Sequence, residues 1–188
     1  MKDVEDLEAF RRWAIGNLLE NRTRGLYAEW IVGRALGVVD PNQPRREWDA
    51  SDLTYRDRLI EVKASGRGQA WPQDKPSTIR FGISPSKRPW FADSNTWVSH
   101  REAERVADLY VFCLHDVFPA SDADAVDLAT WKFWVVPTFV LNGELGSQKS
   151  VGPARLDDLT RRIAWTELQG AVDAVLNQLA GEERRRDA

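Results

Sequence analysis

The segment Trp131-Lys132-Phe133-Trp134-Val135-Val136-Pro137 is apolar at both parities. Successive side chains of a strand point to opposite faces, so such a strand must be covered on both sides. A second apolar run, Leu109-Tyr110-Val111-Phe112-Cys113-Leu114, lies within another expected strand. The chain therefore needs a sheet with other elements on its two faces. Those elements are available at the ends. Val4, Leu7, Phe10, Ala14 and Leu18 recur at helical spacing over Val4 to Leu19. Asn21 and Thr23 offer caps for a second helix, Arg24 to Leu36, closed by Gly37. One or two further helices are predicted between Ala154 and Leu179, before a charged tail from Glu182 to Ala188 that is expected to fray.

Between the helical ends the pattern is of strands and loops. The chain predicts strands Ser51 to Tyr55, Arg58 to Ala64, Ile79 to Ile83 and Asp108 to His115, with a short helix around His100 to Val106. Asp40 to Arg46, Ser65 to Ser77, Ser84 to Thr96, Pro119 to Asp127 and Ser147 to Pro153 read as loops. The expected fold class is α/β (α+β): a sheet with helices around it, in one domain. With 188 residues the chain can bury a substantial core.

Composition removes several classes of function. Cys113 is the only cysteine and there are two histidines, His100 and His115. Disulfide frameworks, cysteine zinc sites and histidine-rich metal sites are excluded, and Cys113 reads as a buried small hydrophobe. No apolar run approaches the roughly 20 residues of a membrane helix, and the acidic N-terminus does not read as a secretory signal. A cytoplasmic protein without a membrane partner is expected. The net charge is -3, but it is unevenly spread. Arg22 to Arg101 carries 14 Lys and Arg against 9 Asp and Glu, and the remainder 12 against 20. A locally basic region can still track a phosphate backbone.

The chemistry is concentrated in Trp48 to Ser65. A two-residue turn at Arg56-Asp57 pairs Tyr55 with Arg58, Thr54 with Leu59, Leu53 with Ile60 and Asp52 with Glu61. In that register Asp52, Glu61 and Lys63 share one face, while Leu53, Ile60 and Val62 share the other. Adjacent carboxylates repel unless a cation lies between them, and carboxylate oxygens suit Mg²⁺. A lysine beside them can hold a water or offset charge on a phosphate, which together is equipment for metal-assisted phosphodiester hydrolysis. Asp49 competes with Asp52; a three-residue turn, or a bulge near Ser51, would favour it. Glu29 lies in the apolar stretch Gly25 to Gly33, where a carboxylate needs a metal, or a cation such as Arg34, as its partner. Gln69 and Trp71 follow the second strand and lie within reach of the same site. Trp13, Trp30, Trp131, Trp134 and Trp165 read as core, while Trp71, Trp90 and Trp97 in loops near Lys75, Lys87 and Arg88 could stack on bases.

The order Glu29, Asp52, then Glu61-Val62-Lys63 resembles the PD-(D/E)xK nuclease superfamily, which includes many type II restriction endonucleases, resolvases and phage-type exonucleases. Ser51 stands where that pattern has proline. The stretch from Gly25 to about Phe139 is also similar to bacterial proteins with this core, through Ile60 to Ser65, Gln69-Ala70-Trp71, Ala107 to Phe112 and Phe133 to Thr138. The resemblance implies a restriction-endonuclease-like core over residues 22–140: a central mixed sheet of four to five strands flanked by helices. Its strands would be Ser51–Tyr55, Arg58–Ala64, Ile79–Ile83 and Asp108–His115, with Trp131–Pro137 as an addition or edge. It implies Mg²⁺, replaceable by Mn²⁺, on Asp52, Glu61 and the Val62 carbonyl. Lys63 would position the attacking water. Glu29 would hold a metal-bound water or a second metal, and Gln69 would match a glutamine of the exonuclease branch. The implied function is DNA cleavage, as an endonuclease, with a homodimer compatible. The alternative is a non-catalytic nucleic-acid-binding or scaffolding member of the same fold.

Overall fold

The computed structural model describes residues 6–45, 50–87, 90–91, 94–122 and 124–186. Val4, Arg46, Asp49 and Arg88, which figure in the sequence reading, lie outside the described residues. The helices are α1 (Leu7–Ile15), α2 (Asn21–Leu36), α3 (Thr138–Leu145), α4 (Pro153–Leu159) and α5 (Leu168–Arg186). The strands are β1 (Leu53–Tyr55), β2 (Arg58–Gly66), β3 (Phe81–Gly82), β4 (Trp90–Phe91), β5 (Thr96–Trp97), β6 (Leu109–His115), β7 (Trp131–Pro137) and β8 (Ser150–Val151).

The main sheet has the order β1-β2-β6-β7. β2 and β6 run parallel, and the two outer pairings are antiparallel. The chain is therefore mixed α/β, with a four-stranded mixed sheet flanked by helices. Side-chain alternation divides the core into two layers. Leu109, Val111, Cys113, Phe133 and Val135 pack on one face with Ile31 and Val32 of α2 and with Leu168 and Val172 of α5. Phe112, Leu114, Trp134 and Val136 pack on the other with Phe81, Ile83, Leu141 of α3 and Leu156 of α4. This is the two-sided burial that the apolar parity of β6 and β7 requires, and Cys113 is fully buried within it. The free side of β7 is closed by Ile163, which exchanges backbone bonds with Phe133 at 3.0 and 2.9 Å.

The hairpin follows the predicted register: Leu53 with Ile60, Thr54 with Leu59, Tyr55 with Arg58. Arg56 and Asp57 both have positive φ, 49° and 60°, the backbone of a type I′ turn, whose twist matches that of the flanking strands. Two contacts hold this conformation without glycine. Arg56 pairs with Asp173 of α5 at 3.1 Å, and its guanidinium lies 5.1 Å from the Tyr55 ring. At the end of α2, Gly37 takes φ 71°, the left-handed C-terminal cap expected of it.

Several expectations are corrected. Ile79–Ile83 does not join the main sheet: Phe81 and Gly82 pair with Val151 and Ser150 in a separate two-stranded ribbon. Its place is taken by β7, a full member at the sheet's edge. The reason lies in length, since seven register pairs join β7 to β6 whereas β3 is two residues long. Residues His100 to Val106 form no helix. Glu104 instead bridges Ser86, and buried Arg105 donates to the carbonyls of Ile83 and Gln148, which holds the segment extended. Thr138–Leu145 forms a further helix directly after β7. Glu182 to Arg186 continue α5 rather than fraying, as their helix-favouring composition allows.

Trp13 and Trp30 are exposed, 85% and 43%, and are not core. The helix α1 has no buried residue, and its Leu7, Phe10, Trp13 and Ile15 are all exposed. In α2 the buried positions are Thr23, Arg24, Ala28, Ile31, Val32, Gly33 and Leu36. That is one stripe, not a helix buried all round, and Trp30 lies beside it.

Candidate functional site

β1 is short, and this makes the site. The last register pair is Leu53 with Ile60. At the next residue the Asp52 N–H donates to the Ile60 carbonyl at 3.1 Å, and the Asp52 carboxylate accepts the Val62 N–H at 2.7 Å. Asp52 thus turns its side chain in along the sheet edge to satisfy a ladder donor that the departing strand leaves behind. It does not extend the regular pairing to Glu61 that the sequence suggests. Opposite Glu61 and Lys63, no strand among the described residues pairs with this edge of β2. The N–H and C=O of one strand residue point to the same edge, so the Val62 carbonyl is directed toward the Asp52 side as well.

Three elements deliver charge to this notch. β2 places Glu61 and Lys63 on the face of their β6 partners, Tyr110 and Phe112. β1 ends at Asp52. The helix α2, packed on the opposite face over Ile60 and Val62, supplies Glu29. The Lys63 ammonium is bonded to the Glu61 carboxylate. Glu29 is held in a two-pronged pair by Arg45, Nε to Oε2 at 2.5 Å and Nη2 to Oε1 at 2.9 Å. The partner of Glu29 is therefore Arg45 and not Arg34, whose guanidinium lies over Trp30 at 5.4 Å.

The charge of Asp52 acts on Glu61, Glu29 and Lys63. Burial raises the Glu61 carboxyl above its ordinary value; the Asp52 charge adds to this and Lys63 opposes it. Burial likewise raises Glu29, with the Arg45 bond opposing and Asp52 reinforcing. Burial by itself would lower Lys63, but Glu61, Asp52 and Glu29 together outweigh it and hold the ammonium above its ordinary pKa. Burial, with the charge of Glu61 adding to it, lifts the Tyr110 hydroxyl to about 12. Beside the notch lies a cleft of about 880 Å³, lined by Glu29, Asp52, Arg45, Tyr27, Trp30 and Asp40 among others. Glu61 and Lys63 stand next to it rather than in its wall.

The donor chemistry fits a hard divalent cation: three carboxylates and a carbonyl edge. As the side chains stand, no three acidic, histidine or cysteine groups among the described residues converge closely enough to hold an ion. The carboxylates are instead taken up by internal partners, Arg45, Lys63 and the Val62 N–H. Ligation needs side-chain rotations that exchange those partners for the cation.

Gln69 is placed at the same end of β2 with its amide fully engaged. Its Oε1 accepts from Arg24 Nη2 at 3.1 Å, and its Nε2 donates to the Gly66 carbonyl at 2.9 Å and to Ser77 Oγ at 3.0 Å. It braces the loop after β2. Arg24 is 1% exposed and also donates to the carbonyls of Gly68, at 3.0 Å, and Leu19. This links the start of α2, which carries Glu29, to the end of β2, which carries Lys63. The sequence held a signal for it: Arg24, Ala28 and Ile31 share one helical stripe, and an arginine in a core stripe must be paired. Arg45, after Pro44 in a loop, carried no local signal. Gly66 permits the close approach, because a Cβ there would sit 2.7–2.9 Å from the Arg24 guanidinium. Gly66→Ala should therefore displace a pinned, buried arginine and cost about 1–3 kcal/mol. Urea denaturation checks this; an unchanged midpoint would mean that Arg24 moves aside freely.

No family model matches this chain, and no curated protein matches it. No helix among the described residues is long and apolar enough to cross a membrane.

Proposed function

We propose that this protein is a Mg²⁺-dependent phosphodiesterase that cleaves DNA, built on a restriction-endonuclease-like core. The observation that carries this reading is the gathering of Glu29, Asp52, Glu61 and Lys63, from three separate elements, at the open end of one hairpin. The raised pKa values of Glu29, Glu61 and Lys63, to each of which the charge of Asp52 contributes, support this reading. Asp52, Glu61 and the Val62 carbonyl would hold the cation, with Glu29 contributing through a water or at a second position. The bound cation would polarise the scissile phosphate and favour ionisation of the attacking water. Lys63 would orient that water and offset charge developing on the phosphate. Glu61 would keep Lys63 protonated, and Asp52 caps the Val62 N–H through one of its two oxygens.

Tested on plasmid, linear and single-stranded DNA and on RNA, the purified protein should cut DNA only when Mg²⁺ or Mn²⁺ is added. Mg²⁺ should also raise the melting temperature, because a ligand of the folded state alone stabilises it. One observation favours a second reading, a nucleic-acid-binding or scaffolding protein without catalysis: every candidate carboxylate already has an internal partner. That reading replaces ours if no nucleic acid is cut and no divalent cation shifts the melting temperature.

A further inference from the structure

The cleft beside the notch is acidic. Glu29, Asp40 and Asp52 line it, and Arg45 is the one basic side chain among its described lining residues. A nucleic-acid backbone cannot approach three carboxylates without a cation to meet it. We infer that Arg45 is the phosphate-binding residue of this cleft, parked on Glu29 until substrate and cation arrive. The inference rests on the nuclease reading and deepens it.

The geometry supports it in three ways. The Arg45 fork spans both oxygens of Glu29, the two-pronged arrangement that a guanidinium makes equally well with a phosphate. The pair is unequal in burial: the Arg45 side chain is 41% exposed and that of Glu29 15%. The arginine can therefore swing toward solvent while the carboxylate stays in the wall. The base of its loop is anchored independently, since Asp40 accepts the Asn42 N–H at 2.8 Å and the Gln43 N–H at 3.1 Å. Movement of the side chain does not require the loop to unfold. The result is an exchange of charges. A cation at the notch would compete with Arg45 for Glu29, and the released guanidinium would take a phosphate oxygen pair in place of the carboxylate.

Arg45→Ala and Arg45→Lys test this in two binding measurements that need no turnover. With Ca²⁺ in place of Mg²⁺, a labelled DNA duplex and single strand are titrated at several salt concentrations. Arg45→Ala should weaken DNA binding about tenfold and reduce the slope of log affinity against log salt by about one, the loss of one phosphate contact. Arg45→Lys should keep the slope but recover only part of the affinity, since a point charge replaces the fork. In calorimetry without DNA, Arg45→Ala should bind Mn²⁺ several-fold more tightly than wild type, because a competitor for Glu29 is gone. Unchanged DNA affinity and salt slope, or weaker Mn²⁺ binding, would make the pair a structural strut and overturn the inference while the nuclease reading stands. Wild type that binds neither DNA nor Mn²⁺ would overturn both.

Discussion

Lys63→Ala should lower Mg²⁺-dependent DNA cleavage by at least about 10²-fold, the usual cost of deleting a group that acts on the transition state. The fold should survive. The Lys63 side chain is one-third exposed and its ion pair with Glu61 is screened by solvent, so the loss of stability should stay under about 1 kcal/mol. That small loss belongs to neutral pH. The folded-state pKa of Lys63 is raised, so its contribution is complete below the ordinary lysine pKa and disappears only as pH rises through the raised value. Without the ammonium, Glu61 loses the cation that opposes burial and the charges of Asp52 and Glu29, and its already raised pKa should climb further. Lys63→Arg should not rescue cleavage, because a planar fork replaces a compact ammonium. A gel assay of plasmid nicking together with a melting curve checks both halves. Wild-type activity in Lys63→Ala would remove Lys63 from the mechanism.

Asp52→Asn should abolish Mg²⁺-dependent cleavage and leave DNA binding equal or stronger. Neutralising the carboxylate removes a ligand charge and, without metal, a repulsion felt by phosphate. The structure indicates why the fold should tolerate it. The Asp52 oxygen accepts the Val62 N–H at 2.7 Å, and an asparagine oxygen can accept the same bond. The bond loses its charge assistance, about 1 kcal/mol. The neutral side chain in turn relieves the repulsion that helps raise Glu61 and Glu29. These effects oppose each other, so the metal-free melting temperature should lie close to that of wild type. Mg²⁺ should stabilise wild type and have much less effect on the mutant. An equal Mg²⁺ shift in both proteins would show that the cation binds without Asp52.

The sequence by itself determined the local geometry of this protein. The Arg56-Asp57 turn and the alternation of Leu53, Ile60 and Val62 set the hairpin register, because a slip of one residue would turn the apolar set toward solvent. The two-sided apolar pattern of Trp131 to Pro137 demanded a covered strand, and Gly37 marked where α2 stops. The candidate residues Glu29, Asp52, Glu61 and Lys63 were legible from order and spacing alone. Tertiary structure decided what no local pattern encodes. It chose β7 over Ile79–Ile83 as the fourth strand, since a strand's place depends on the partner edge and on the length available to pair. It left Trp30 in a cleft wall and Trp13 uncovered, because burial depends on which neighbours arrive. It turned Asp52 in to cap Val62, joined Glu29 to Arg45 and engaged Gln69 with Arg24. These contacts join residues 10, 16 and 45 positions apart. Burial sets them: a carboxylate or guanidinium withdrawn from water must find a partner, and only the packed chain determines which group is within reach.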